Sequence, residues 1–289
     1  MALSLETVVQ LQLPFNSWTY YLLLFCATVM YYTYAYARPS GKVHYANPRT
    51  EWYSLHRRFI RISQLVLLCL CTGLSLYIAV RYYAGILGLP LYYWLAAGVM
   101  GGAALLYYGL LPHNSYLPSL HFSLRNTGWA KAFVIGFVWA CAVNILPLIV
   151  LRIEDGLYHA DPVLVGWLFV KNWMFCTVNA IMFDLKDYAD DANSHLKTFV
   201  VRFGLRRTIH SVIIPLLLVG IASLVAFTSI RHYNIIAIGF NLVPFVCLLI
   251  VAYSLHTRKP ILFYLIVIDG LLLLKAICGI VGMYFNTHR

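Results

Sequence analysis

Residues 184–198 read Asp-Leu-Lys-Asp-Tyr-Ala-Asp-Asp-Ala-Asn-Ser-His-Leu-Lys-Thr, and they follow without a break on the apolar run 164–183. Four of the chain's ten carboxylates fall between Asp184 and Asp191. Asp184, Asp187 and Asp191 are spaced i, i+3 and i+7, so on a helix they share one face. Adjacent carboxylates repel, and a hydrated loop would scatter them. Hard oxygen ligands converging on one edge suit Mg²⁺, which takes few protein carboxylates and completes its shell with water and phosphate oxygens. That points to a metal-bridged diphosphate held at a membrane surface. The competing reading is a solvated acidic helix end.

Working outward, the chain is 62% hydrophobic and only 11% charged, against roughly 25% charged for a soluble domain. Apolar stretches near the roughly 20 residues a crossing helix needs lie at 17–37, 62–83, 91–111, 132–151, 164–183, 209–229, 233–254 and 260–284. These runs are continuous rather than alternating, which predicts helices and argues against a barrel. The expectation is an all-α, polytopic integral membrane protein of eight spans, forming a single transmembrane domain over 1–289. The seven cysteines lie inside apolar runs without metal-ligand spacing and read as buried thiols. No zinc motif, P-loop, nucleophile elbow or dinucleotide fingerprint is present.

The formal charge of +11 would suggest nucleic acid in a soluble chain. Here its placement argues for topology instead. Lys and Arg gather in alternate loops near 38–61, 112–131, 184–208 and 255–259, while Glu154, Asp155 and Asp161 lie in an opposite one. The positive-inside bias makes the basic loops, and the Asp-rich loop with them, cytoplasmic. The partner is then the bilayer, with no role for nucleic acid. Eight spans put the N-terminus outside. Residues 1–15, MALSLETVVQLQLPF, lack the basic start and apolar core of a secretory signal. They read as the tail of a helix whose beginning lies upstream, and an in-frame extension before the start codon is the corresponding expectation.

At the Asp cluster the chain resembles the UbiA superfamily of intramembrane prenyltransferases. The likeness rests on Asp184, Asp187 and Asp191, then Lys197-Thr198, then Gly204 in Val-Arg-Phe-Gly, with His195 where the family often has Gly. Leu124-Arg125-Asn126-Thr127-Gly128-Trp129-Ala130-Lys131 is similar to the entry of a later family helix. Span order and loop polarity extend the likeness over residues 15–285. The resemblance implies a ring of transmembrane helices, usually nine, with two Asp-rich motifs facing a central cavity. The first motif should follow 17–37, yet Tyr31-Tyr32-Thr33-Tyr34-Ala35-Tyr36-Ala37-Arg38 has no carboxylate, nor does any residue between Glu51 and Glu154.

The resemblance further implies transfer of a prenyl group from a polyprenyl diphosphate to an aromatic or other lipophilic acceptor. Asp184, Asp187 and Asp191 would be the catalytic Mg²⁺ ligands. Lys186, Lys197, Arg38 and Lys131 would contact the diphosphate, and Arg57 and Arg58 would supply planar forks for phosphate oxygens where the first motif is missing. A terpene cyclase on the same fold, or a lipid-diphosphate binder without catalysis, are the alternatives. A transporter is more remote, because paired broken-helix repeats are absent. Asn179, five residues before Asp184, should point near the cluster, where it would join the substrate-binding residues, or toward a neighbouring helix. Lys171, Asp269 and Lys275 are charges inside spans and call for partners; Asp269 with Lys171 is one such interhelical pairing.

Overall fold

The computed structural model describes residues 1–37, 48–108, 128–156, 160–186, 188, 197–255 and 259–287. Every element among them is helical. Six helices are long and apolar enough to cross a membrane: Arg57–Arg81, Ala130–Asp155, Pro162–Leu185, Leu205–Ile230, Ile235–Ser254 and Tyr264–Thr287. Two of the eight expected spans differ. The stretch 91–111 begins with an apolar but shorter helix, and 17–37 folds as the tyrosine-rich helix Trp18–Ala37. Contacts group the chain into two compact units.

The first unit holds Asn16–Leu89 with Val150–Gly156. Its main helices are α2 (Trp18–Ala37) and α4 (Arg57–Arg81), with the short α3 (Pro48–Leu55) and α5 (Tyr83–Leu87) beside them; α1 (Ala2–Gln10) belongs to the second unit. The Gln64 amide on α4 donates to the Met30 carbonyl of α2 and to the Thr33 hydroxyl. Ser17 caps α2 by accepting from Tyr20 N. The Glu154 carboxylate accepts from Ser17 N at 3.0 Å and from its hydroxyl, a favourable place for an anion at a helix start. Only 11% of the crossing window of α4 is buried, against 61% for Pro162–Leu185. The helix of 162–185 is core to the second unit.

The second unit holds Ala2–Phe15, Pro90–Ile149 and Leu157–Arg289. After α6 (Leu91–Tyr108), α7 (Ala130–Ala140) continues through a π turn, Cys141–Ile145, into α8 (Leu146–Asp155). Then come α9 (Pro162–Lys186), the short α10 (Phe199–Phe203) and α11 (Leu205–Thr208), and a second π turn, Ile209–Ile213, leading into α12 (Ile214–Ile230). Two further crossings follow: α13 (Ile235–Ser254), then α14 (Ile261–Phe263), which passes through a third π turn, Tyr264–Ile268, into α15 (Asp269–Thr287). Two of the π turns have a visible cause. Pro147 and Pro215 lack an N–H and crowd the carbonyl four residues back, at Val143 and Ser211, so the ladder widens there.

α9 packs against α7 and α12. Phe175, Ile181 and Met182 of α9 join Ile213, Leu217, Phe245, Leu248 and Ile268 in the largest core cluster. Close approach depends on small residues, as expected where lipid supplies no hydrophobic drive between helices. A Cβ on Gly136 of α7 would lie 2.8 Å from Thr177 N on α9.

Helix α1 packs on α15 and carries polar side chains into the core. Glu6 is 1% exposed, Lys171 1% and Lys275 3%. Lys275 Nζ donates to both Glu6 oxygens, at 2.9 and 2.7 Å. Lys171 Nζ donates to Gln10 Oε1 at 2.7 Å and reaches Glu6 Oε1 at 3.4 Å. The Gln10 amide donates to Glu6 and to Asn241 Oδ1. Gly279 leaves the room, since a Cβ there would lie 2.6 Å from Glu6 Oε1. The partner of Lys171 is thus Glu6 rather than Asp269. It comes from the N-terminal stretch that sequence reading treated as a helix remnant.

Candidate functional site

Asp184 stands in the last turn of α9, and Lys131 in the first turn of α7. Lys131 Nζ donates to Asp184 Oδ1 at 2.8 Å, with side-chain exposures of 14% and 6%. Each charge sits at the unfavourable end of its helix. A carboxylate at a C-terminus and an ammonium at an N-terminus each oppose the macrodipole by about 0.3–1 kcal/mol. Helix stability therefore does not explain the pair. Opposed local preferences of this kind are expected where a site, rather than the fold, dictates the residues.

The surroundings are built from the neighbouring turns. Gly128, at φ +62°, lets the backbone enter α7 against the chain at Lys197, where a Cβ would lie 2.5 Å from Lys197 O. Any side chain at 128 would be strained both by that φ and by that contact. Thr198 caps α10 through its hydroxyl, which accepts from Val201 N. Gly204, at φ +74°, turns α10 into α11. The Thr208 hydroxyl donates to Phe199 O and Gly204 O, bracing that corner. The Phe199 ring packs edge-on against Trp129 and Phe133 of the α7 entry. The Lys-Thr…Gly portion of the motif thus has local roles: Thr198 a cap, Gly204 a corner, and Lys197 exposed beside the start of α7.

Of the expected site residues, the structure brings together Asp184 and Lys131, with the backbone of Lys197 against that of Gly128. Asp187, Asp191 and Arg38 lie outside the described residues, as does the side chain of Lys186. Arg57 and Arg58 are exposed at the start of α4 in the first unit. Asn179 is buried, and its amide donates to the Ile268 carbonyl of the third π turn at 3.1 Å. It serves the helix interface, the second of the two expectations for it.

Among the described residues no group of three or more metal-ligating side chains occurs. Asp184 is nevertheless a hard oxygen donor, and Mg²⁺ in phosphate sites is commonly held by one or two carboxylates plus the phosphates themselves.

The second unit also holds two apolar cavities. One cavity of about 670 Å³ is lined by Tyr92, Ala96, Val99, Phe137 and Phe169 among others. A second, of about 460 Å³, is lined by Val99, Gly102, Phe133, Phe137 and Trp173 among others. Val99 and Phe137 belong to both.

Sequence reasoning missed Glu6. The available signal was two span lysines against a single span carboxylate, Asp269, together with Glu6 and Gln10 spaced i, i+4 in an otherwise apolar N-terminus. In comparisons with known proteins, no family model, no curated protein and no solved structure matches the chain.

Proposed function

We propose that the protein is an intramembrane prenyltransferase of the UbiA type, moving a prenyl group from a polyprenyl diphosphate to a lipophilic acceptor. The observation that carries this reading is the part-buried Lys131–Asp184 pair at the end of the core helix α9, in a chain with six helices apolar enough to cross a membrane. A charged phosphate head with a hydrocarbon tail requires such a pairing of environments.

In this reading Asp184 orients the head group. Asp187 and Asp191 extend the acidic edge by their spacing in sequence. Lys131 and Lys197 donate to phosphate oxygens. A bound Mg²⁺ would offset charge on the leaving diphosphate. The allylic C–O bond breaks and its electron pair leaves with the diphosphate. The acceptor's electron pair forms the new bond to carbon, and the acceptor then loses a proton. Apolar helix walls keep water from the allylic cation. The acidic loop faces the cytoplasm in this reading, following the distribution of Lys and Arg.

The absence of any carboxylate between Glu51 and Glu154 favours one second reading, a lipid-diphosphate binder without turnover. A single assay separates the two. Detergent-purified protein given a labelled prenyl diphosphate, Mg²⁺ and a lipid extract as acceptor source is expected to release diphosphate and form a more apolar labelled product. Saturable binding with no release under any acceptor supply would leave the binder and remove the transferase.

A further inference from the structure

Between Asp191 and Asp269 the chain has no carboxylate, yet Arg202, Arg206 and Arg207 follow one another closely there. All three are exposed, at the corner where α10 turns into α11. Among the described residues the ion pairs belong to Lys131, Lys171 and Lys275, and the three arginines join none. Helix stability does not ask for them either. Arg206 and Arg207 stand in the first turn of the crossing helix Leu205–Ile230, where a cation opposes the macrodipole. Other residues close the inner side of the corner: Val200 and Thr208 are buried, and the Thr208 hydroxyl donates to Phe199 O and Gly204 O. His210 Nδ1 donates to Arg206 O at 2.8 Å, and the Tyr253 hydroxyl of α13 lies 3.4 Å from His210 Nε2. The backbone under the arginines is thus braced from two sides. Aromatic rings surround them. Trp129, Phe203 and Tyr253 are exposed. The Arg202 guanidinium lies over the Phe203 ring at 5.2 Å, Phe203 stacks on Phe199, and Phe199 meets Trp129 edge-on. Exposed Trp and Tyr beside Arg at the start of a crossing helix are the composition of a bilayer interface.

We propose that this corner binds the headgroup of an anionic phospholipid, with Arg206 and Arg207 as the main donors to its phosphate and Arg202 beside them. The site stands apart from prenyl transfer, since it uses neither Asp184 nor Lys131. Three guanidinium groups without an anionic partner leave positive charge uncompensated at the surface of the second unit. A headgroup of net negative charge offsets it. A zwitterionic headgroup brings a cation of its own and offsets it less. Planar guanidinium forks match pairs of phosphate oxygens, which a point charge does not. The source is the bilayer rather than free phosphate because the crossing helix begins at Leu205, directly before Arg206. That start holds the arginines at headgroup depth, and the exposed rings of Phe203 and Trp129 offer the lipid an apolar contact below its phosphate. Each basic residue at an anionic leaflet strengthens attachment by about fivefold, so three together favour an anionic lipid well above the background of a zwitterionic one.

The test uses the full chain in an uncharged detergent, titrated with phosphatidylglycerol and with phosphatidylcholine of identical acyl chains. Bound lipid is counted by native mass spectrometry. Phosphatidylglycerol should bind about tenfold more tightly or better. Arg202→Gln, Arg206→Gln and Arg207→Gln together should remove most of that preference, while Arg81→Gln, an exposed arginine in the last turn of α4, should leave it in place. A phosphatidylglycerol carrying a photoreactive diazirine on its headgroup should label the unaltered chain between Phe199 and His210 or at Tyr253. Glycerol phosphate, the headgroup without its chains, should not displace it. Equal binding of the two lipids by the unaltered chain would overturn the site, whatever the variants do. So would labelling confined to other segments, or a preference that survives the three substitutions in a monodisperse protein. Displacement by glycerol phosphate would make the corner a site for soluble anions and overturn the assignment to lipid.

Discussion

Replacing Glu6 with alanine is expected to cost about 3–5 kcal/mol of stability, the range for removing one partner of a buried ion pair. Glu6 is the acceptor on which two buried ammonium groups converge, with Lys275 contacting both of its oxygens. Without it, Lys171 keeps the Gln10 carbonyl oxygen. Lys275 keeps the face of Phe175, 5.7 Å away, a contact worth about 2 kcal/mol or more when desolvated. Neither offsets an unpaired charge in the core. The effect should therefore depend on the lysines. Adding Lys171→Met and Lys275→Met to Glu6→Leu should recover most of the loss, because well-packed apolar replacements of a buried ionic group are often neutral or better. Thermal unfolding in detergent, read by circular dichroism and by the monodisperse fraction, checks both. A Glu6→Ala protein as stable as the parent would show that α1 does not depend on this cluster for its place in the core.

The second large effect is expected at Asp184. Asp184→Asn keeps the size of the side chain and an oxygen for Lys131 but removes the negative charge. Diphosphate release should fall by about 100- to 1,000-fold, the range seen when one preorganised charge-stabilising group is lost. The fold should tolerate the change. Lys131 stands in the first turn of α7, retains partial exposure and can extend toward water. Unfolding of the variant should thus shift little while turnover disappears. An Asp184→Asn protein with undiminished release would remove the carboxylate from the chemistry and leave the pair a helix-end contact.

Much of this architecture was legible in the sequence because its causes are local. Apolar runs uninterrupted by charge announce the long helices, and the sudden carboxylates after Phe183 mark where the apolar run of α9 ends. Thr198 and Gly204 belong to a readable corner, a cap followed by a residue free to adopt positive φ. Pro147 and Pro215 announce irregularity, although a π turn needs the packed helix to define it. The rest depends on contacts distant in the chain. Glu6 and Lys275 are 269 residues apart, and nothing local tells a short polar helix to dock against the last span. Lys131 and Asp184 are 53 apart, and each sits against the dipole preference of its own helix. The larger cavity is assembled from α6, the α7–α8 segment and α9 with the residues just before it, which are distant in the chain. Two expected spans fall outside the six for different reasons: Trp18–Ala37 is long enough but its many tyrosines lower its hydropathy, and the described helix of the 91–111 stretch is short.

The most direct measurement is binding of a ten-carbon prenyl diphosphate to the detergent-purified protein, titrated once with Mg²⁺ and once with excess chelator. Saturable binding that requires Mg²⁺ and is lost in Asp184→Asn is the expected result. Binding that is equally tight with chelator, or no binding in either buffer, would contradict a metal-bridged diphosphate at the end of α9.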